Sequence, residues 1–128
     1  MRYRLSFCIP TYNRASYLRE TLGYIIDQAD DSIEIVISDN ASSDNTEEVV
    51  KEAKLRFPNI TYFRWPENMG ADRNYLKTVE LARGDYCWFM GSDDGIKKGA
   101  LKKVLEELKD GHDIYVCSQY FCDKKLKP

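Results

Sequence analysis

Apolar positions along the chain recur with two alternating periods. Short runs at 5–10, 33–38, 60–65 and 86–90 are rich in β-branched or aromatic residues and end at turn formers, so each predicts a buried strand. Between the first two, Leu18, Leu22, Ile25 and Ile26 put one apolar stripe on a helix over 15–28. Val49, Val50, Ala53 and Phe57 do the same on a second helix, opened by Asp44 with Glu47 three residues on as a capping box. Tyr75, Leu76, Val79 and Ala82 predict a third helix over 70–82, ended by Arg83-Gly84. Leu101, Val104, Leu105 and Leu108 predict a fourth over 98–109, and residues 114–120 a fifth strand, followed by a charged, frayed end at 123–128. The order βαβαβαβαβ with short connections implies an α/β domain: a mostly parallel sheet, helices on both faces and right-handed crossovers.

Composition narrows the function. At 128 residues the chain is one domain, 1–128, and 43% hydrophobic with 31% charged residues is the balance of a chain that folds. Lys and Arg number 19 against 21 Asp and Glu, a net charge of −2, which argues against nucleic acid as the main partner. The uncharged stretch 114–122 is far short of the ~20 apolar residues that span a bilayer, so no transmembrane segment is expected. The amino terminus does not read as a signal peptide, which points to the cytoplasm and to reduced cysteines. Cys8, Cys87, Cys117 and Cys122 form no Cys-x-x-Cys and are expected as small buried apolar side chains. With His112 the single histidine, a zinc site is not expected, and a Ser/His/Asp triad would rest on that residue alone.

In an open α/β sheet the ligand sits outside the carboxyl ends of the strands. There this chain carries Pro10-Thr11-Tyr12-Asn13-Arg14, Asp39 to Asp44, Glu67 to Asn74 and Gly91-Ser92-Asp93-Asp94-Gly95. Neither Gly-x-Gly-x-x-Gly after the first strand nor Gly-x-x-x-x-Gly-Lys-Ser/Thr occurs, which disfavours a dinucleotide dehydrogenase or a P-loop nucleotidase. What stands there instead is Asp93-Asp94 after an apolar strand. Two adjacent carboxylates repel unless a cation lies between them, and hard oxygen donors suit Mg²⁺ or Mn²⁺, with a diphosphate supplying further ligands. Arg73, one turn into its helix, can meet a phosphate oxygen with its fork of donors. Simpler roles stand beside these: an Asx-turn for Asp39, a helix cap for Asp44, a helix start for Arg14, and packing for Tyr17, Tyr24, Tyr75 and Trp88.

The run Ser6 to Arg14, Ile35 to Thr46, Asn68-Met69-Gly70 to Arg73-Asn74, and Gly84-Asp85-Tyr86 to Ser92-Asp93-Asp94 resembles the family 2 glycosyltransferases of GT-A fold over nearly the whole chain. The resemblance implies sheet order 3-2-1-4, a nucleotide-diphosphate sugar of UDP type as donor, Mg²⁺ or Mn²⁺, and inverting transfer to the hydroxyl of a glycan or lipid-linked acceptor, as in cell-surface polysaccharide synthesis. It sets Pro10, Thr11 and Tyr12 against base and ribose, Asp39 against the ring N–H of a uracil-type base, and Arg73 on the diphosphate. Asp93 and Asp94 match the aspartate motif, one near the ribose and one on the metal, in either order. The family more often has another aspartate where this chain has Gly91. The general base is expected beyond Pro128, which would make this chain the donor-binding half of a longer protein, placed in the cytoplasm or at a membrane's cytoplasmic face. Two other readings stay open: a receiver-like signalling domain, which would want an acidic pair straight after the first strand, and a nucleotide-binding module without catalysis.

Overall fold

The computed structural model describes residues 2–119, 121 and 122. Strands β1 (Leu5–Thr11), β2 (Ile33–Asp39), β3 (Ile60–Arg64) and β4 (Tyr86–Phe89) form one parallel sheet in the order β3-β2-β1-β4. Helices α1 (Ala15–Ile26), α2 (Thr46–Arg56), α3 (Ala71–Leu81) and α4 (Ala100–Glu107) connect and flank them, α4 running into a 3₁₀ turn at Leu108–Asp110. The sheet order is the expected 3-2-1-4, and β1 has a neighbour on either side.

The two sheet faces differ chemically. Leu5, Phe7 and Ile9 lie beside Ile33, Ile35 and Ile37, and this face packs with Leu18, Leu22, Val49, Val50, Leu101 and Leu105 of α1, α2 and α4 in one core. Trp88 stacks on Phe7, as a packing residue should. The other face presents Ser6, Cys8, Glu34 and Ser38, and α3 meets it with polar groups: Ser38 Oγ donates to Asn74 Oδ1 at 2.7 Å, and the Cys8 thiol faces the Thr78 carbonyl. The inward residues of α3 are therefore Asn74 and Thr78, while Leu76 is 67% exposed and Tyr75 and Val79 about 40%. Apolar spacing picked out the outer side of this helix because its inner side is polar, matching a polar sheet face.

At the amino-terminal edge, fully buried Glu34 accepts from Ser6 Oγ and the Arg83 backbone N–H, and pairs with the Arg83 guanidinium at 3.1 Å. Gly84 closes the same corner, its N–H donating to Ser6 Oγ.

Several expectations are corrected. Residues 114–119 form no strand: side-chain bonds pin this segment, Tyr86 O–H to the His112 carbonyl and Tyr115 O–H to the Glu107 carbonyl, in place of a ladder. Val116 is 92% exposed, so an apolar run here covers no face. Tyr120 and the end at 123–128 lie outside the described residues. Only Cys8 is buried; Cys87 lies on an edge strand, and Cys117 and Cys122 belong to the unpaired tail. Burial pushes the Cys8 thiol up to about 12. The N-cap of α2 is Asn45, not Asp44. Asp44 instead accepts from Thr46 N–H and Oγ1 with one oxygen and from the Ala15 N–H with the other, tying the starts of α1 and α2 together. Its slight burial opposes ionisation, but those bonds hold its carboxyl below the ordinary range.

Candidate nucleotide and metal site

At the carboxyl end of the sheet lies a hollow of about 350 Å³. Pro10, Thr11, Tyr12 and Arg14 enter it from the end of β1 and the loop beyond, Gly91, Ser92 and Asp93 from the loop after β4, and Ala71, Asn74 and Tyr75 from α3. Asn40 and Asn68 complete the wall. Chain direction explains the place: from β1 the chain winds outward through β2 to β3, then crosses to β4 on the opposite side, leaving a crevice where the strand order reverses.

Its walls are fixed by long-range bonds. Asn40 donates to Asn68 Oδ1 at 2.9 Å and accepts the Met69 N–H at 2.7 Å, joining the loops after β2 and β3. Asn74, 3% exposed, accepts from Ser38 and faces the Thr11 carbonyl. Ala41, between Asn40 and Ser42, is held at φ 63°, a left-handed conformation that costs an alanine of order 1 kcal/mol. Asn13 is also left-handed, at φ 50°, and bridges to Ser42 and Ser43.

Of the residues singled out from sequence, Pro10, Thr11, Tyr12, Arg14 and Asp93 line the hollow. Arg73 does not: it is exposed on α3, while Ala71, Asn74 and Tyr75 hold the facing side, so the arginine among the lining residues is Arg14, whose guanidinium lies over the Tyr17 ring. Asp39 does not either. It is 1% exposed, one oxygen accepting the Ser42 N–H and Oγ–H and the other the Tyr62 O–H at 2.5 Å. The carboxylate thus closes its own loop onto the residue three on, not the two-residue Asx-turn expected, and burial together with the Asp39 carboxylate raises the Tyr62 phenol. Asp94 lies at the rim, where its Oδ2 accepts the Gly91 N–H at 2.8 Å while its own N–H donates to the Gly91 carbonyl. His112 stands apart, against Tyr115.

Two features bear on what the hollow takes. The Thr11 hydroxyl is buried without a hydrogen-bond partner and belongs to a residue of the lining. Buried polar atoms are ordinarily satisfied, so this one is an exception within the wall of the hollow. At the rim, a Cβ built on Gly91 would lie 2.9 Å from Asp94 Oδ2 and 3.0 Å from Asp93 Oδ1, so two carboxylate oxygens gather over one glycine. The space that an aspartate at position 91 would take is occupied by these carboxylates. Among the described residues no group of three or more His, Cys, Asp or Glu is placed to hold a metal. Two carboxylates fit Mg²⁺ or Mn²⁺ where substrate phosphate and water complete the shell. Among the described residues no helix is long and apolar enough to cross a membrane.

A parallel α/β sheet with a polar, partly acidic hollow beyond the carboxyl ends of its strands has the ligand-binding layout of an open α/β domain. Comparison with known proteins makes it particular: the family described as Glycosyl transferase family 2 matches residues 6–128, and the chain belongs to that family. It is 49% identical over 119 residues to the abequosyltransferase RfbV of Salmonella typhimurium, covering 90% of this chain and 35% of that protein. Its fold is that of the GT-A glycosyltransferases. The crystal structure of S. aureus TarS 1-349 in complex with UDP-GlcNAc matches with a TM-score of 0.78 at 26% identity, over 84% of this chain and 31% of that one. The mannosyltransferase PcManGT from Pyrobaculum calidifontis, in complex with GDP-Man and Mn²⁺, matches with a TM-score of 0.75 at 26% identity, over 87% and 34%. The chain thus spans about a third of the length of the proteins it matches.

Proposed function

We propose that this domain binds the nucleotide diphosphate of a sugar donor, of UDP type, across the hollow with a divalent cation, and serves inverting transfer of the sugar to an acceptor hydroxyl. The observation that carries the reading is the gathering of Asp93 and Asp94 oxygens at the rim of the hollow that Thr11, Tyr12 and Arg14 line. TarS with UDP-GlcNAc and PcManGT with GDP-Man and Mn²⁺ support the ligand class.

Tyr12, 47% exposed, offers a ring face for the base, and Pro10 and Thr11 the floor beneath the ribose. Arg14 meets the diphosphate, the role the resemblance gives to Arg73, because Arg14 is the one in the lining. Asp93 and Asp94 would hold the metal, which when bound neutralises charge on the departing diphosphate. In transfer the acceptor oxygen attacks the anomeric carbon as that carbon's bond to the diphosphate breaks. The nucleotide diphosphate leaves with the electron pair, and the acceptor proton passes to a carboxylate acting as general base. Arg14 stabilises the charge that grows on the leaving oxygen.

Titration calorimetry with UDP, with and without Mn²⁺, tests this on the native chain, Asp94→Ala, Arg14→Ala and Arg73→Ala. The reading requires metal-dependent binding that Asp94→Ala loses and that Arg14→Ala weakens more than Arg73→Ala. Binding indifferent to the metal and to Asp94 would end it.

A further inference from the structure

We propose that Thr21 of α1 is a positioning residue for Asp93 and Asp94; the proposal rests on the metal and nucleotide role just assigned to that loop. Thr21 is 1% exposed, and its Oγ1 lies 2.9 Å from the Ser92 carbonyl and 2.6 Å from the Asp94 carbonyl. These two carbonyls bracket Asp93. A threonine inside a helix ordinarily turns its hydroxyl back to its own preceding turn or leaves it to solvent. Here it reaches a loop more than seventy positions away in sequence and offers its single proton between two acceptors.

A second anchor sits seven residues on. Gln28 donates to the Lys97 carbonyl at 2.9 Å and accepts the Leu101 N–H at 3.2 Å, so the α1 segment grips the stretch from Ser92 to Leu101 at both ends. Buried Met90 and Ile96 fasten the loop to the core on either side of the acidic pair. The backbone beneath Asp93 and Asp94 is thus held from below by α1, while both side chains stay exposed above it.

The consequence is chemical. Two exposed carboxylates hold a cation only if their Cα atoms stay in register, and the Gly91–Asp94 turn is closed merely by the Asp94 N–H to Gly91 carbonyl bond and the Asp94 side chain itself. Thr21 removes the remaining freedom by fixing the carbonyls before and after Asp93. Groups that orient metal ligands from behind typically change metal affinity by about tenfold to a hundredfold when removed.

The experiment compares native protein with Thr21→Val, which keeps the shape and loses the proton donor, and Thr21→Ser, which keeps the donor. Two signals are read: UDP affinity in the presence of Mn²⁺, and hydrogen exchange of the Gly91 and Asp94 amides without ligand. Thr21→Val is expected to weaken Mn²⁺-dependent UDP binding by roughly tenfold or more and to speed exchange at both amides by about tenfold. Thr21→Ser is expected to restore both. Unchanged exchange and unchanged affinity in Thr21→Val would overturn the proposal. If native protein fails to bind UDP with Mn²⁺, the functional reading falls, and amide exchange alone then decides whether Thr21 holds the loop. Should Thr21→Val show no cooperative unfolding transition, Thr21→Ala is judged by the same two signals.

Discussion

Gly84 and Gly91 invite the same substitution with opposite consequences. A Cβ at Gly84 would lie 2.5 Å from Ser6 Oγ, 2.8 Å from Ser6 N and 2.9 Å from the Leu5 carbonyl carbon. Two of those atoms are backbone of β1, which is hydrogen-bonded to a strand on each side and cannot retreat. Forced overpacking of this kind costs about 1–3 kcal/mol, and displacing the Gly84 N–H from Ser6 Oγ adds about 1 kcal/mol. Gly84→Ala is therefore expected to lose roughly 3 kcal/mol, moving the urea midpoint by more than about 1 M. At Gly91 the new methyl meets only the carboxylate ends of Asp93 and Asp94, which are exposed and can swing. The cost is the bond from Gly91 N–H to Asp94, under about 1 kcal/mol because water replaces it. The damage falls on the site, since both carboxylates must leave the positions they share. Gly91→Ala is thus expected to keep nearly native stability and to weaken Mn²⁺-dependent UDP binding by roughly tenfold. Equal stability losses in the two variants, or native binding in Gly91→Ala, would refute this reasoning.

Glu34→Gln keeps the volume of a fully buried side chain but removes the charge that faces Arg83, and is expected to cost roughly 2–3 kcal/mol in urea unfolding; a loss below about 0.5 kcal/mol would show the corner to be dispensable. Asp44, with its carboxyl held below the ordinary value of 3.8, contributes stability above that pH and loses it as pH falls through the lowered value. Asp44→Asn is therefore expected to be the less stable protein at neutral pH, with the gap closing under acid, as thermal melts across pH 7 to 2.5 would register. Iodoacetamide at pH 8 is expected to alkylate exposed Cys87, Cys117 and Cys122 and spare Cys8, whose buried thiol stays protonated, a pattern that peptide mass spectrometry reads directly.

The strands and helices were legible because their apolar periods coincide with one large core face: Leu5, Phe7 and Ile9, or Leu18, Leu22 and Ile25, lie where their spacing put them. Legibility failed where polar groups do the packing. The inner side of α3 is Asn74 and Thr78 against Ser38 and Cys8, so Tyr75, Leu76 and Val79 misreported its direction. It failed again at 114–119, where β-propensity met no partner edge. Pro10, Thr11, Tyr12 and Asp93 line the hollow because strand direction alone carries residues adjacent to strand ends there. Arg73 lies outside the lining because one helical position separates it from Asn74, and 100° of rotation decides which residue faces the hollow. Asn40, Asn68, Asn74 and Ser92 went unassigned; asparagines in loops at the carboxyl edge were the available signal, but their pairing across loops is a tertiary fact. Thr21 carried no signal, since a threonine between Leu18 and Leu22 reads as a helix residue.

The central claim is that nucleotide and cation meet over Asp93 and Asp94 beside Thr11. Paramagnetic broadening of backbone amide resonances on adding Mn²⁺ with UDP maps that meeting place. The account expects Gly91, Asp93, Asp94 and Thr11 to broaden first, with Arg4, Glu34 and Arg83 at the opposite edge of the sheet unaffected. Broadening centred elsewhere, or none at Asp93 and Asp94 while UDP is bound, would contradict it.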